Sequence, residues 1–183
     1  DLWIFTYAFA FQIYFDFSGY TDIARGSAML FGYKVPINFN LPYLAKNISE
    51  FWHRWHISLS TWLRDYLFIP LGGSRGSRWN VYRHLMITMS LGGLWHGAST
   101  HFLIWGVFHG AMLGLHKMFK ESRTWLSEHG HNWLSAAIDS PVGSILSTLL
   151  TFHVVCIGWV LFRADTVAVA GDMLRKLFFI DSI

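Results

Sequence analysis

A histidine inside the longest uncharged stretch of the chain is the residue best placed to do chemistry. The stretch runs from Leu85 to Leu115 and contains no Asp, Glu, Lys or Arg. His96 stands near its centre, after Trp95 and before Gly97. An ionisable side chain is costly in a nonpolar environment, so such a residue ordinarily faces a protein interior or a wet cavity and serves a function there. His96 is therefore the first candidate site residue.

Acid–base catalysis suits a buried neutral imidazole. The imidazole can accept the proton of a hydroxyl that attacks an acyl group and can release that proton again near neutral pH. The residues alone leave two alternatives open. A proton-relay transporter also uses membrane-embedded histidines, although it usually has further acidic residues in its spans, and only Asp16 lies near one here. The other alternative is an inactive membrane scaffold that recruits a partner.

A metal site is not expected. His53 and His56 are three residues apart on a predicted helix, but no nearby Cys or His-Glu-x-x-His pattern completes a zinc site. We therefore expect no bound metal and no tightly bound cofactor. His153, a lone histidine in an apolar run, is expected to form a structural hydrogen bond.

The composition is typical of a membrane protein and not of a soluble domain. Hydrophobic residues make up 53% of the chain and charged residues 14%, against roughly 25% charged residues in an ordinary soluble domain. The formal net charge of +3 is too small to indicate a nucleic-acid partner, and the single Cys excludes an internal disulfide framework. Lys and Arg cluster at the ends of apolar runs, as they do at membrane surfaces. We predict an all-α, polytopic protein in a lipid bilayer.

Hydrophobic periodicity and breaker residues divide the chain into helices. The expected segments are membrane spans near residues 2–17, 85–116 and 141–162, an amphipathic or re-entrant helix over 48–68, and a C-terminal helix over 166–179 capped by Asp165. Residues 121–140 are polar and predict an extramembrane loop.

The first span is expected to end at Asp16, with a break at Ser18-Gly19. Beyond the break we predict a short helix with an Asp22–Arg25 pair on one face and Gly32 at its C-terminal cap.

The central uncharged stretch is too long for one straight span. As a single helix it would be about 46 Å long, against a hydrocarbon core of ~30 Å. It therefore predicts either a long tilted helix or two segments that break near Gly97-Ala98-Ser99. Gly93 with Gly97, and Gly106 with Gly110, have the spacing that lets helices approach closely.

The helix over 48–68 carries the second candidate histidine. Asn47 and Glu50 form a capping-box-like start, and Pro70 predicts that the helix ends by Phe68. At 100° per residue His56 falls on the Trp-rich buried face. That face is formed by Trp52, Trp55, His56, Leu59, Trp62, Leu63 and Tyr66.

Four stretches of the chain resemble one known family. Residues Tyr14 to Tyr33, Asn38 to Gly73, Gly92 to Ser99 and Gly158 to Asp165 look like the membrane-bound O-acyltransferase (MBOAT) family, and within it the bacterial alginate O-acetyltransferase branch. The resemblance implies a fold of tilted or broken membrane helices around a funnel or tunnel. The upstream membrane helices typical of the family are missing, so we expect this chain to be a fragment of a larger protein.

The resemblance also implies roles for the two histidines. His96 matches the catalytic histidine of the family, and His56 matches its second signature histidine, which positions the substrate or the first histidine. His53 matches no family histidine.

The function implied is transfer of an acetyl group at the bacterial inner membrane, in a multi-pass protein. The acetyl group would come from acetyl-CoA or another activated acyl donor and go to an exported, alginate-like polysaccharide. A periplasmic acetyltransferase partner would receive it first, and His96 would be the general base. A D-alanyl-transferring relative remains an alternative within the family.

Overall fold

The regular structure of the protein is entirely helical over residues 2–179, the part that the computed structural model describes. Two helices, Thr100–Glu128 and Pro141–Arg163, are long and apolar enough to cross a membrane by length and composition. The prediction of an all-α fold is confirmed. The helices are α1 (Leu2–Leu30), α2 (Ile48–Arg54), α3 (Ile57–Leu63), α4 (Arg78–His96), α5 (Thr100–Glu128), α6 (Trp133–Asp139), α7 (Pro141–Arg163) and α8 (Val167–Phe178).

The first helix does not break at Ser18-Gly19, so that prediction is wrong. Helix α1 continues without interruption to Leu30. The Ser18 hydroxyl donates to the carbonyl of Phe15 at 3.4 Å, and the Thr21 hydroxyl donates to the carbonyl of Ser18 at 3.0 Å. These polar side chains are therefore satisfied by the backbone of their own helix, which removes the reason to leave it.

Continuity of α1 changes the position of Asp16. We expected this residue to end the helix at the membrane surface, but it lies near the middle of α1. The two other expectations for this segment are confirmed. Asp22 and Arg25 form an ion pair at 3.0 Å. Gly32, with φ of +80°, ends the helix, and the amide of Tyr33 donates back to the carbonyl of Ala28.

The predicted single helix over 48–68 is wrong, because it breaks immediately before and after His56. Helix α2 ends at Arg54, and α3 begins at Ile57. His56 stands between them in the left-handed conformation, with φ of +43°. That conformation is unfavourable for a residue with a side chain, by roughly 1 kcal/mol or more, so the surrounding structure must hold it.

The extended connector before α2 holds this break in place. The carbonyl of Asn38 accepts from the amide of Ile57 at 3.0 Å, and its side-chain oxygen accepts from the amide of Ser58 at 3.0 Å. Asn40 donates its amide to the carbonyl of Arg54 at 3.0 Å. The backbone groups that the break exposes are thus satisfied by a distant segment of sequence, which helical periodicity does not reveal.

Both ends of the broken segment agree with the prediction. Asn47 accepts a hydrogen bond from the amide of Glu50 at 2.8 Å and caps α2. Helix α3 continues into one π-helical turn over Arg64–Phe68, which ends before Pro70.

The central stretch forms a hairpin of α4 and α5 that turns at Gly97–Ser99, one of the two predicted arrangements. The helices run antiparallel and touch backbone to backbone. A Cβ atom added at Gly93 would collide with the carbonyl oxygen of Phe102, and one added at Gly106 would collide with that of Met89. The prediction that glycine spacing permits close helix approach is confirmed.

The remaining boundaries differ in part from the predictions. Helix α5 continues to Glu128 and α6 follows, so residues 121–140 are mostly helical instead of a loop. An ion pair between Lys117 and Glu121, one turn apart at 3.0 Å, helps α5 to continue. Thr166, not Asp165, caps α8 by accepting from the amide of Val169.

A cluster of aromatic side chains joins α1 and α7 to the connector. The Tyr43 hydroxyl donates to the carbonyl of Ala10 at 2.5 Å and accepts from the indole of Trp159 at 3.1 Å. Tyr7 and His153 are hydrogen-bonded at 2.7 Å between α1 and α7, which confirms the structural role predicted for His153. These bonds hold α1 and α7 to each other and to the connector.

The contact between α4 and α5 predicts a stability difference between two glycine substitutions. Gly106→Ala places a methyl group against the backbone of α4, and we expect it to destabilise the protein by about 1–3 kcal/mol. Gly26→Ala is the matched control, because no atom lies within 4 Å of its added Cβ and alanine favours the helix. The measurement is the midpoint of thermal unfolding of the whole protein in detergent. Equal midpoints for the two variants would contradict the observed contact.

Candidate active site

A cavity of about 890 Å³ opens between α1, the α2–α3 break, the α4–α5 turn and the end of α7. Both predicted histidines, His56 and His96, line it. About half of its lining residues are Phe or Trp, so the cavity offers the imidazoles a largely nonpolar setting. The aromatic residues are Phe9, Phe17, Trp52, Trp55, Trp95, Phe102, Trp105, Trp159 and Phe162.

His96 is held by ring packing. Its imidazole meets Trp105 edge-on, with ring centroids 5.2 Å apart, and meets Phe162 edge-on at 5.1 Å. Trp95 packs against it at 5.0 Å. Within residues 2–179, its ring nitrogens form no hydrogen bond to another residue, so they are available to a molecule in the cavity. This geometry suits a proton acceptor.

His56 reaches the same cavity because its backbone is left-handed. Its ring lies edge-on to Phe17 at 4.7 Å, and Trp95 lies 6.2 Å away on the side of His96. Burial, with a smaller contribution from any charge on His96, lowers the pKa of His56 from its ordinary value to about 4. His56 is therefore neutral at physiological pH.

The residues predicted to share a face with His56 separate in the structure. Trp52, Trp55 and Leu59 line the cavity beside it. Trp62 and Tyr66 are exposed, because the break at His56 rotates α3 away from the helical periodicity of α2. The prediction that His56 faces the same side as Trp52 and Trp55 agrees with the structure. Its premise, one continuous helix over 48–68, is wrong.

Sequence reasoning missed several polar residues of the cavity. Asp16, Arg163, Asp165 and His101 line it together with Gln12. Arg163 lies over the ring of Phe9, 5.8 Å from its centroid. Asp16 and Asp165 were both interpreted as helix-boundary residues. Had α1 been predicted as continuous, the four-residue spacing of Gln12 and Asp16 would have put them on one helix face. That spacing is the signal in the sequence that could have identified them.

His109 is buried in the aromatic core instead of lining the cavity. It is 1% exposed, and its ring packs against Trp105 at 4.9 Å and Trp52 at 5.1 Å. A Cβ at Gly158 would lie 2.6 Å from its Nε2, so the glycine on α7 makes room for this imidazole. No residue described by the structure accepts or donates a hydrogen bond at either ring nitrogen.

A second cavity, of about 660 Å³, lies on the other side of Trp52. Trp52 lines both cavities and separates them. Among the described residues, no Asp or Glu lines the second one, whereas Arg64, Lys117 and Lys120 do. His53, which we did not assign to the site, lines it too, with its Nδ1 bonded to the carbonyl of Ser49 at 2.6 Å. The second cavity is therefore positively charged.

The fold and the site together define a helical protein of membrane-type composition with a histidine-lined aromatic cavity. Residues 2–132 match the MBOAT, membrane-bound O-acyltransferase family. The chain belongs to this family, which confirms the resemblance in the sequence.

Individual relatives cover nearly the whole chain. It is 46% identical to the probable alginate O-acetylase AlgI of Pseudomonas aeruginosa over 178 residues, which is 97% of this chain and 31% of that protein. It is 41% identical to the peptidoglycan O-acetyltransferase of Helicobacter pylori, over 96% of this chain and 31% of that protein. The teichoic acid D-alanyltransferase of Bacillus subtilis is 33% identical, over 87% of this chain and 40% of that protein. The chain thus spans roughly a third of the length of these relatives.

The site geometry predicts different reactivities for three histidines. Diethyl pyrocarbonate modifies accessible, neutral imidazoles. We expect it to modify His56 and His96, which open to the cavity, and to leave the buried His109 unmodified until the protein unfolds. Mass spectrometry of the digested protein measures each site.

The same reagent tests the protonation of His56. Because its pKa is about 4, the modification rate of His56 should stay nearly constant from pH 7.5 to 5.5. An ordinary imidazole, with a pKa of about 6.5, becomes mostly protonated over this range and reacts roughly tenfold more slowly. A histidine-containing peptide in the same tube provides the control. A rate at His56 that falls in parallel with that of the peptide would contradict its burial.

Proposed function

We propose that the protein containing this chain moves an acetyl group across or within the membrane for O-acetylation of an exported, alginate-like polysaccharide, with His96 as the general base toward the accepting hydroxyl. The observation that carries the proposal is an imidazole held by Trp105 and Phe162, with no hydrogen bond to another described residue, in a cavity shared with His56. The names of the relatives at 46% and 41% identity support an O-acetyl acceptor of the polysaccharide class.

The proposed reaction needs only one proton carrier. The acceptor hydroxyl attacks the acyl carbon, His96 takes the hydroxyl proton, and the new C–O bond forms as the bond to the leaving group breaks. His96 then returns the proton to the leaving group. The role of His56 is to position the acceptor or His96. Because His56, beside Trp95, is neutral, it does not repel the positive charge that His96 gains when it accepts the proton.

The second cavity supports a phosphate-bearing acyl donor such as acetyl-CoA. Arg64 is paired with Asp65, and Lys117 with Glu121. Lys120, by contrast, forms no ion pair with another described residue. Its charge can therefore attract donor phosphates, while the acyl end of the donor passes Trp52 toward His96. No tightly bound cofactor is required.

The proposed setting is the bacterial inner membrane, in a multi-pass protein. A periplasmic acetyltransferase partner would accept the acetyl group and pass it to the polysaccharide. D-alanyl transfer is the alternative within the family. The 33% identity to the teichoic acid D-alanyltransferase supports it less than the acetyltransferase relatives support acetyl transfer.

Removal of the His96 imidazole is the direct test of the proposal. We expect His96→Ala in the whole protein to lower polysaccharide O-acetylation by at least about 100-fold, because a general base contributes 10²–10⁴-fold to such reactions. The measurement is ester-bound acetate on the exported polysaccharide, normalised to the amount of protein in the membrane.

His129→Ala is the matched control for this experiment. His129 lies at the end of α5, outside both cavities, with its Nδ1 bonded to the carbonyl of Trp125. O-acetylation that persists in His96→Ala at normal protein levels would refute the catalytic assignment and favour a scaffold. Loss of D-alanyl esters instead of acetyl esters would indicate the alternative donor.

Binding of the donor phosphates in the second cavity leads to a separate prediction. In membrane vesicles that contain the whole protein, Lys120→Glu should raise the KM for acetyl-CoA several-fold, because it replaces an attractive charge with a repulsive one near the donor phosphates. Lys34→Glu, on the connector and outside both cavities, should leave it unchanged. Equal KM values for the two variants would exclude the second cavity as the donor site.

A further inference from the structure

A third histidine lines the cavity, and its hydrogen bonding is unlike that of His56 and His96. His101 lies in the first turn of α5, and its Nδ1 is 2.7 Å from the hydroxyl oxygen of Ser99. Its ring packs on Phe102 at an angle of 48°, with centroids 4.1 Å apart, and Phe102 in turn packs against His96 at 6.1 Å. Phe102 therefore contacts the imidazoles of both His101 and His96.

The bond from Ser99 replaces a helix cap. Ser99 is the N-cap residue of α5, but its side chain accepts no backbone amide of that helix. Four other N-cap residues of the described chain do accept one. Forgoing such a cap costs about 1 kcal/mol, so the hydroxyl of Ser99 holds His101 at the expense of helix stability. The four capping residues are Asn47, Ser77, Ser140 and Thr166.

The hydrogen bond also selects the tautomer of His101. We assign the Ser99 hydroxyl as the donor and Nδ1 as the acceptor, because this hydroxyl bonds to no other residue of the described structure. A neutral imidazole whose Nδ1 accepts carries its own proton on Nε2. His101 therefore has an N–H donor on the nitrogen that Ser99 does not occupy.

The transfer reaction needs such a donor. As the hydroxyl attacks, the acyl oxygen becomes negative, and a fixed hydrogen-bond donor stabilises that charge. Several other N–H groups around the cavity cannot serve. The indole nitrogens of Trp52 and Trp105 are buried, and the indole of Trp159 already donates to Tyr43. The N-terminal end of α5, where His101 lies, additionally favours negative charge through the helix dipole.

We propose that His101, fixed by Ser99, donates a hydrogen bond from Nε2 to the acyl oxygen as it becomes an oxyanion. This inference rests on the proposed acyl transfer. That reaction needs a proton acceptor, which is His96, and a donor to the oxyanion, which is His101. His96 accepts the proton of the hydroxyl and returns it to the leaving group, while the C–O bond forms and the bond to the leaving group breaks. His101 transfers no proton, and Ser99 is a positioning residue.

Two substitutions of His101 distinguish the effect of its N–H donor from the effect of its ring packing. His101→Phe keeps an aromatic ring on Phe102 but has no donor, and we expect O-acetylation to fall about 10²–10³-fold. His101→Gln loses the ring but keeps an N–H donor, and we expect it to recover at least a tenth of the wild-type rate. The measurement is the rate at which a pulse of labelled acetate given to the cells enters ester groups of the exported polysaccharide, normalised to membrane protein.

A parallel pair tests Ser99. Ser99→Ala frees the tautomer and should lower the rate, whereas Ser99→Thr retains a hydroxyl and should preserve it. His129→Ala again controls for loss of a histidine outside the cavity. The inference fails if His101→Phe is as active as wild type, or if His101→Gln is no better than His101→Phe. The two proposals can fail separately. If His96→Ala loses activity while His101→Phe keeps full activity, the transferase function stands and only the oxyanion role of His101 is refuted.

Discussion

Both candidate catalytic histidines stand where a helix is interrupted, and the structure depends on satisfying the backbone groups that these interruptions expose. His56 lies between α2 and α3 in a left-handed conformation, and His96 is the last residue of α4. A helix end buried without partners for its amides and carbonyls is strongly unfavourable. Asn38 and Asn40 supply those partners at the first break. The two histidines can therefore meet in one cavity without leaving unsatisfied backbone groups around it.

Aromatic packing, more than hydrogen bonding, sets the chemistry of this cavity. His96 is confined by Trp105 and Phe162, so its orientation is fixed while its ring nitrogens stay available. His101 differs, because its Nδ1 is hydrogen-bonded to the hydroxyl of Ser99. The same residue type thus has two different capacities within one cavity. The difference comes from the neighbour of each ring and not from the rings themselves.

The two cavities give the site two chemically different sides. The larger cavity has both histidines, an aromatic wall and charges of both signs, whereas the described lining of the smaller one includes Arg64, Lys117 and Lys120 and no carboxylate. Trp52 lies between them. This arrangement suits an enzyme of the membrane-bound O-acyltransferase family, to which the chain belongs, because the donor and the acceptor of a transfer reaction must approach one acyl carbon from separate directions.

The sequence by itself determined the features that depend on local composition and spacing. The uncharged stretch around His96, the small residues of the α4–α5 hairpin and the cap at Asn47 could be predicted, because each reflects the burial cost or backbone preference of nearby residues. The turn at Gly97–Ser99 was one of two alternatives that the sequence left open. The family motifs identified His56 and His96 as the histidines of interest. In the structure, both residues line one cavity.

Only the tertiary structure decided where long-range contacts override local pattern. A bond between Asn38 and Ile57 breaks a helix that periodicity predicts as continuous, while bonds of Ser18 and Thr21 to their own helix keep α1 whole through a predicted break. The inclusion of Asp16 and His101 in the cavity follows from these two differences and from the path of α5. The bond between Asn38 and Ile57 joins residues 19 positions apart, so its energy is absent from a short window of sequence. The bonds of Ser18 and Thr21 span only three residues, and the prediction overlooked them because Ser-Gly usually marks a break. For that reason the sequence could point to His56 and His96 as candidates, but it could not show which residues surround them in the cavity.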